Sequence, residues 1–249
     1  AAILVLWTFS AAFGESAPAV KLTLLHLNDQ ESQLLHAGNM LEDFGGAARA
    51  VAVVKKLRTA AKSDIVITLS AGDNFLIGPE FKAGLAAYNP NLAGVNIYYD
   101  AKALDAIGFD ALALGNHDFD LGPDFLADFI STGFIQTLPP FLSANIDFSG
   151  EPVLQDLVKH GRIAGHVIVE KKRQQFGIIG ATTPNLSYIT RAGNIVVDAD
   201  LVTVVQKEID TLLDRNVNKI ILVSHLQGLA EDKALISQLS GIDIAIAGG

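Results

Sequence analysis

The sequence has no cysteine among its 249 residues, so disulfide bridges and thiolate metal ligands are excluded. Any metal ion must therefore be held by oxygen and nitrogen atoms, which favours hard or borderline divalent cations. Basic residues are also few, with 18 lysines and arginines against 27 acidic residues and a formal net charge of -9. This balance argues against nucleic-acid binding through a basic face, although metal cations would still permit a small phosphorylated ligand.

Long apolar runs are absent except at the start of the chain, where residues 1–13 read AAILVLWTFSAAF. This run is too short to span a bilayer comfortably, and small residues suited to signal cleavage follow at 12–14 and 17–19. We interpret residues 1–19 as the remainder of a signal peptide, which predicts a periplasmic or extracellular protein with no stable transmembrane segment. An N-terminal core helix or a membrane anchor is the alternative interpretation.

Strand patterns alternate with helix patterns from Val20 onward, and half of the residues are hydrophobic. Apolar runs predict strands at 21–27, 64–70, 109–115, 140–148, 219–224 and 242–248. Helical periodicity and boundary residues predict helices at 45–62, 96–108, 123–133, 198–216 and 231–240. A hairpin is predicted at 161–184 and an irregular insertion at 77–95. The alternation indicates one α/β domain over 20–249, with central strands buried on both faces.

Polar residues follow the predicted strands at the point where each strand ends. The segments are Asn28-Asp29-Gln30-Glu31, Gly72-Asp73-Asn74, Gly115-Asn116-His117-Asp118 and Ser224-His225. Each segment alone is more typical of a turn or a hydrogen-bonded loop. Because ligands of α/β folds bind at the carboxyl ends of the strands, the recurrence predicts one shared site. Carboxylate, amide and imidazole groups can all ligate a divalent ion.

With LTLLHLND, SAGDNF, ALGNHDFDLG and LSANI, these segments resemble the calcineurin-like metallophosphoesterases. They are most similar to the catalytic domain of the 5'-nucleotidase group, which includes UDP-sugar hydrolases and 2',3'-cyclic phosphodiesterases. The resemblance implies a four-layer α/β/β/α sandwich and two divalent metal ions. It also implies a catalytic domain at 20–249 that is truncated at its C-terminus, before the last metal ligands and a nucleoside-holding domain.

The resemblance also implies a role for each site residue. Asp73 would bridge the two metal ions, and the first ion would also be bound by Asp29 and the residue two positions on. Asn116 and His225 would bind the second ion. His117, oriented by Asp120, would lie beside the phosphate that is cleaved.

The first motif departs from the family pattern, which is Asp-x-His, because this chain has Glu31 in place of the imidazole. A carboxylate ligand would shift the first site from zinc towards manganese, magnesium, calcium or iron. The alternative is that Glu31 is a solvated loop acid and that the first site is weak or empty. The other histidines, which we leave out of the site, are His26, His36, His160 and His166.

The expected function is metal-dependent hydrolysis of a small phosphate ester, most simply a nucleoside 5'-phosphate. The resemblance implies that paired cations activate a water as hydroxide and that His117 stabilises the transition state. A broad alkaline phosphatase, a UDP-sugar hydrolase, a 2',3'-cyclic phosphodiesterase or a sulfur-ester hydrolase would use the same residues. An exported binding protein on a decayed phosphatase scaffold is the non-enzymatic alternative. The sequence leaves the metal, the substrate and the oligomeric state open.

Overall fold

The structure, a computed structural model, describes residues 20–62, 64–86 and 98–249. The predicted signal segment 1–19 lies outside the described residues. The helices are α1 (Ala47–Ala60), α2 (Pro79–Ala86), α3 (Tyr99–Ile107), α4 (Pro123–Thr132), α5 (Pro152–Lys159), α6 (Leu186–Ile189), α7 (Leu201–Asp214) and α8 (Leu229–Ile236). A 3-10 turn spans His117–Phe119. No helix in the described part of the chain has the length and apolarity that a bilayer crossing requires.

The strands form two main sheets. They are β1 (Leu22–Leu27), β2 (Ile65–Ser70), β3 (Ala111–Ala113), β4 (Phe141–Leu142), β5 (Ile146–Asp147), β6 (Ile163–Ala164), β7 (His166–Lys171), β8 (Gln174–Thr182), β9 (Val196–Val197), β10 (Ile220–His225) and β11 (Ile244–Gly248). The first sheet has the order β1-β2-β3-β4-β6, and its pairs are all parallel. The second has the order β11-β10-β8-β7, with only β7 antiparallel to its neighbour. Strands β5 and β9 form a separate antiparallel pair.

The two sheets pack face to face, and helices cover the outer face of each. Alternation along β10 shows this arrangement, because Ile221 and Val223 join the core between the sheets while Leu222 joins the core under α7. Val205 and Ile209 of α7 are fully buried in that outer core. Helices α3 and α4 supply much of the core on the other side of the molecule. The four-layer α/β/β/α fold expected from the sequence is therefore confirmed.

The sheets approach closely at Gly180 of β8. A Cβ atom there would lie 2.4 Å from the backbone carbonyl of Leu142 in the first sheet. At the ends of β8 and β3, Thr182 Oγ1 donates to the carbonyl of Leu114 at 2.8 Å, at the edge where the polar motifs lie.

Two of the predicted segments were wrong. The insertion 77–95 is not irregular throughout, since its described part contains α2, which starts with proline at the favoured first position of a helix. Segment 140–148 is two short strands, β4 and β5, and not one. The break occurs at Asn145, whose side chain accepts a hydrogen bond from Thr182 N–H and donates one to Thr182 C=O, both at 2.9 Å.

Smaller differences concern helix ends and short elements. Helix α8 begins and ends earlier than the predicted 231–240, and α5 and β9 were not predicted. In α1, Arg58 is half-buried and donates to the carbonyls of Ile107 and Gly108. Those carbonyls end α3, and a guanidinium group satisfies them where an apolar side chain would not.

Candidate functional site

Four loops meet at the shared edge of the two sheets. The backbone N–H of Asp29 donates to Gly72 C=O at 3.1 Å, which joins the loops after β1 and β2. The backbone N–H of His117 donates to Asp73 Oδ1 at 2.8 Å, which joins the loops after β2 and β3. The fourth loop begins at His225, at the end of β10. The structure therefore brings together all the segments that the sequence analysis selected.

Three potential ligand atoms converge at the centre of this edge. His225 Nε2 lies 3.2 Å from Asp73 Oδ2 and 3.2 Å from Asn116 Oδ1. Its other ring nitrogen, Nδ1, donates to the carbonyl of Ala71 at 2.7 Å, which fixes the ring and directs Nε2 at the two oxygens. A backbone acceptor on the far nitrogen is the usual way in which a metal-binding histidine is oriented.

Two glycines allow this convergence. A Cβ atom on Gly72, whose φ is +100°, would lie 2.5 Å from His225 Nδ1. A Cβ atom on Gly115 would lie 2.3 Å from Asp73 Oδ1. Any larger residue at either position would displace a side chain of the site.

His225 is fully buried, and its protonation state depends on these neighbours. Burial opposes the charged ring, but the hydrogen bond and the negative charge of Asp73 prevail and raise the pKa of His225 to about 9. The Nε2 proton thus lies where two oxygen acceptors face each other. A cation between these atoms would take the place of that proton, so the donor set fits a divalent metal ion.

His117 and Asp120 form the second feature of the site. His117 Nδ1 donates to Asp120 Oδ2 at 2.7 Å, and the two residues lie at opposite ends of the 3-10 turn. Partial burial lowers the pKa of His117, but the hydrogen bond with Asp120 and the charges of Asp73, Asp120 and Glu31 raise it more, so the net direction is upward. The ring is one-third exposed, which leaves Nε2 accessible to a ligand.

Asp29 and Glu31 each have a ligand atom close to one of Asp73. Ligand atoms of Asp29, Asp73 and His225 are all within 4.8 Å of one another, as are those of Glu31, Asp73 and His117. The sequence analysis grouped Asp29 with Glu31 and Asn116 with His225, whereas the structure also places Asp29 beside His225. Asp73 belongs to both groups, which is the position expected of a bridging carboxylate.

The backbone of the site is unusual for residues with a side chain. Asp29, Glu31 and Asp73 have φ values of 51°, 45° and 50°, in the left-handed region that glycine favours. Such conformations cost free energy and tend to occur where function requires a particular side-chain direction. Here these residues belong to the two groups of neighbouring ligand atoms that share Asp73.

Three further residues lie within this network and were not selected from the sequence. Gln227 donates from its side-chain amide to Asn116 Oδ1 at 3.2 Å. Asn74 and Asp118 are both buried and hydrogen-bonded to each other beneath the site. Burial, followed by the charge of Asp73, raises the pKa of Asp118 to about 7. Asn74 and Asp118 lie within the polar segments at the strand ends, and that placement was their signal in the sequence.

The remaining histidines lie in other surroundings. His36 and His160 are exposed and bond within their own turns, and His166 on β7 pairs with Glu208 of α7. His26 lies on β1 with an exposed side chain.

Comparisons with known proteins agree with this geometry. No family model matches the chain. Over 92% of its length it is 31% identical to a 5'-nucleotidase from Bos taurus, and over 98% it is 30% identical to one from Homo sapiens. Over 94% it is 30% identical to an apyrase from Anopheles gambiae. The chain spans about two fifths of the length of these relatives.

Solved structures give the same result. The 5'-nucleotidase precursor from Thermus thermophilus superposes on 91% of the chain with a TM-score of 0.73 and 34% identity, and the chain covers 41% of that protein. A calcineurin-like phosphoesterase from Bacillus subtilis superposes on 92% with a TM-score of 0.70, and the chain covers 72% of it. Its 22% identity supports the fold alone.

Proposed function

Since this chain belongs to the 5'-nucleotidase family and corresponds to its N-terminal metallophosphoesterase domain, we propose that it hydrolyses the phosphate ester of nucleotides. The observation that carries the proposal is the convergence of His225 Nε2, Asp73 Oδ2 and Asn116 Oδ1 at the edge shared by both sheets. The relatives named 5'-nucleotidase support nucleoside 5'-phosphates as the substrate class.

The family uses two divalent metal ions. We propose that Asp73 contacts both ions, that Asp29 and Glu31 belong to the first site, and that Asn116 and His225 belong to the second. The ions would supply Lewis-acid stabilisation of the phosphate charge and activation of a water molecule. The clustered acids Asp29, Glu31 and Asp73 favour cations at this edge.

The chain's own residues supply the remaining chemistry. His117 donates from Nδ1 to Asp120, and the neighbouring acids stabilise the protonated ring. An imidazolium with an accessible Nε2 can donate a hydrogen bond to a phosphate oxygen whose charge increases in the transition state. It can also transfer its proton to the oxygen of the leaving alcohol. Asp120 holds the ring in the tautomer and orientation that these roles need.

The direct test is Asp73→Asn in the full-length protein that carries these residues. We expect turnover of AMP to fall by about a hundredfold or more, because one change weakens both metal sites. Asp147→Asn, at an exposed acid on β5, is the control and should leave turnover unchanged. Equal turnover in the wild type and in Asp73→Asn would reject the proposal.

A broad phosphatase is the second candidate, and Glu31 is the observation that favours it, since this residue changes the first metal motif. Rates on AMP, a 2',3'-cyclic nucleotide, a UDP-sugar and p-nitrophenyl phosphate separate the alternatives. A preference for AMP of tenfold or more over p-nitrophenyl phosphate supports the nucleotidase. Similar rates on both compounds favour the broad enzyme, and stoichiometric metal without any turnover favours a binding protein.

We also propose export from the cytoplasm, on the basis of the apolar composition of residues 1–13. The complete N-terminal region of the full-length protein, fused to a reporter enzyme, should direct that reporter out of the cytoplasm. A reporter retained with the cytosolic fraction would contradict export.

A further inference from the structure

Asp118 belongs neither to the proposed metal ligands nor to the His117–Asp120 pair, yet its side chain is fully buried beside them. Its carboxylate accepts three hydrogen bonds. Oδ1 accepts from the backbone N–H of Asn74 at 3.0 Å, and Oδ2 accepts from the Asn74 side-chain amide at 3.0 Å and from Gly115 N–H at 2.8 Å. Asn74 directly follows Asp73, and Gly115 directly precedes Asn116, so the carboxylate joins two ligand-bearing loops.

Asn74 extends this network to the strands. Its side-chain amide also donates to the carbonyl of Ala113 at 3.0 Å, and its Oδ1 accepts from Ser70 Oγ at 2.6 Å. Ser70 ends β2 and Ala113 ends β3. Both loops are therefore connected, through buried side chains, to the ends of the strands that carry them.

The three bonds to Asp118 are all of one kind, because each neighbour is an N–H donor. An ionised carboxylate satisfies them, whereas an asparagine of nearly the same shape would place an NH₂ group against an N–H group. A buried carboxylate also costs desolvation free energy, all the more beside the acidic Asp73. An arrangement this costly is expected where it fixes functional groups in place.

We propose that Asp118 is a positioning residue that fixes the distance between Asp73 and Asn116, and so sets the metal affinity of the centre. This inference rests on the proposed function, because it concerns the same metal site. The carboxylate itself contacts neither metal nor substrate. It acts through Asn74 and Gly115 on the loops that do.

The test compares Asp118→Asn with a matched buried acid elsewhere in the fold. Asp105 of α3 is 5% exposed and likewise accepts backbone N–H bonds, from Ile135, Gln136 and Thr137 at 2.9, 2.8 and 2.7 Å. Asp118→Asn and Asp105→Asn should both lower the melting temperature of the metal-free full-length protein. Only Asp118→Asn should weaken Mn²⁺ binding measured by calorimetry, by about tenfold to a hundredfold, as is usual for partners of metal ligands.

The outcomes separate this inference from the proposed function. A wild-type protein that binds no Mn²⁺ would overturn the metal centre and the role of Asp118 with it. A wild type that binds Mn²⁺, together with a folded Asp118→Asn whose affinity lies within twofold, would overturn the role of Asp118 alone. If Asp118→Asn does not fold, Ser70→Ala decides, because it removes only the hydroxyl that holds Asn74. Weaker Mn²⁺ binding in that variant supports the inference, and unchanged binding overturns it.

Discussion

At the scale of single residues, we propose that Glu31 sets the metal preference of the first site. Its ligand atom lies within 4.8 Å of those of Asp73 and His117, so it occupies a position from which it can replace an imidazole ligand. A carboxylate is a harder donor than imidazole and favours manganese or magnesium over zinc.

Glu31→His should therefore raise the ratio of the Zn²⁺-supported rate to the Mn²⁺-supported rate. The measurement is turnover of AMP after chelation and reconstitution with each metal. Gln33→His, at an exposed position on the same loop, is the control. An unchanged ratio in Glu31→His would indicate that Glu31 is a solvated loop acid and not a ligand.

A second residue-scale prediction concerns Asp100, which is 4% exposed in the first turn of α3. Burial raises its pKa to about 6, against the opposing effect of a hydrogen bond with Ser32. The folded state therefore holds this proton more tightly than the unfolded state. The contribution of Asp100 to stability must decrease as pH rises from about 4 to 6.

Asp100→Asn should raise the free energy of unfolding at pH 7 by about 1–3 kcal/mol and change it little at pH 4. Urea denaturation of the wild type and the variant at both pH values measures this difference. A change of equal size at the two pH values would show that titration of Asp100 is not its cause.

At the scale of elements, the loop after β2 lies tightly against the end of β10. Gly72 of that loop has no side chain, and we predict that adding one would disturb this contact. Alanine there would suffer left-handed backbone strain of roughly 1–2 kcal/mol, and its Cβ would also meet His225. Gly38 has a similar φ of +112° with no atom within 4 Å of a built Cβ, so Gly38→Ala shows the strain alone.

Gly72→Ala should lose more thermal stability than Gly38→Ala, because the contact of the new Cβ with the buried His225 adds to the backbone strain. Only Gly72→Ala should also lose AMP turnover, by tenfold or more, because the imidazole is displaced from Asp73 and Asn116. Equal turnover in the two variants would mean that the position of His225 does not limit catalysis.

At the scale of elements, some strands and helices could be located from the sequence and some features could not. Regular periodicity located β1, β2, α7 and β10 closely, and Asp200 caps α7 by accepting from Thr203 N–H at 3.1 Å. Asn145 was the clearest failure. The LSANI motif that contains it was assigned to a single apolar strand, but its side chain bonds to Thr182 in the second sheet, and no local pattern indicates such a partner.

The site shows the same limit. The residue types and their positions at strand ends, together with the family resemblance for Asp120, predicted which side chains would meet, and the structure brings all seven together. Which of them would be nearest neighbours was not predictable, because the placement of Asp29 beside His225 depends on how the two sheets pack. The bonds between Asp118 and Asn74 join two loops 44 residues apart, so only the folded chain reveals them.

At the scale of the whole molecule, the fold explains why residues from both halves of the chain form one centre. The parallel strands of both sheets end at one edge, which places the loops after β1, β2 and β3 opposite the loop after β10. Neither sheet alone brings His225 to Asp73 and Asn116. The metal centre that we propose therefore requires both sheets of the sandwich.

Locating metal ions directly is therefore the most direct test of the central claim. Crystals of the full-length protein grown with Mn²⁺ should show two anomalous-scattering peaks about 3.5–4 Å apart. Both peaks should contact Asp73, one with Asp29 or Glu31 and the other with Asn116 and His225. A map without peaks at Asp73, or with Mn²⁺ bound only elsewhere, would contradict the claim.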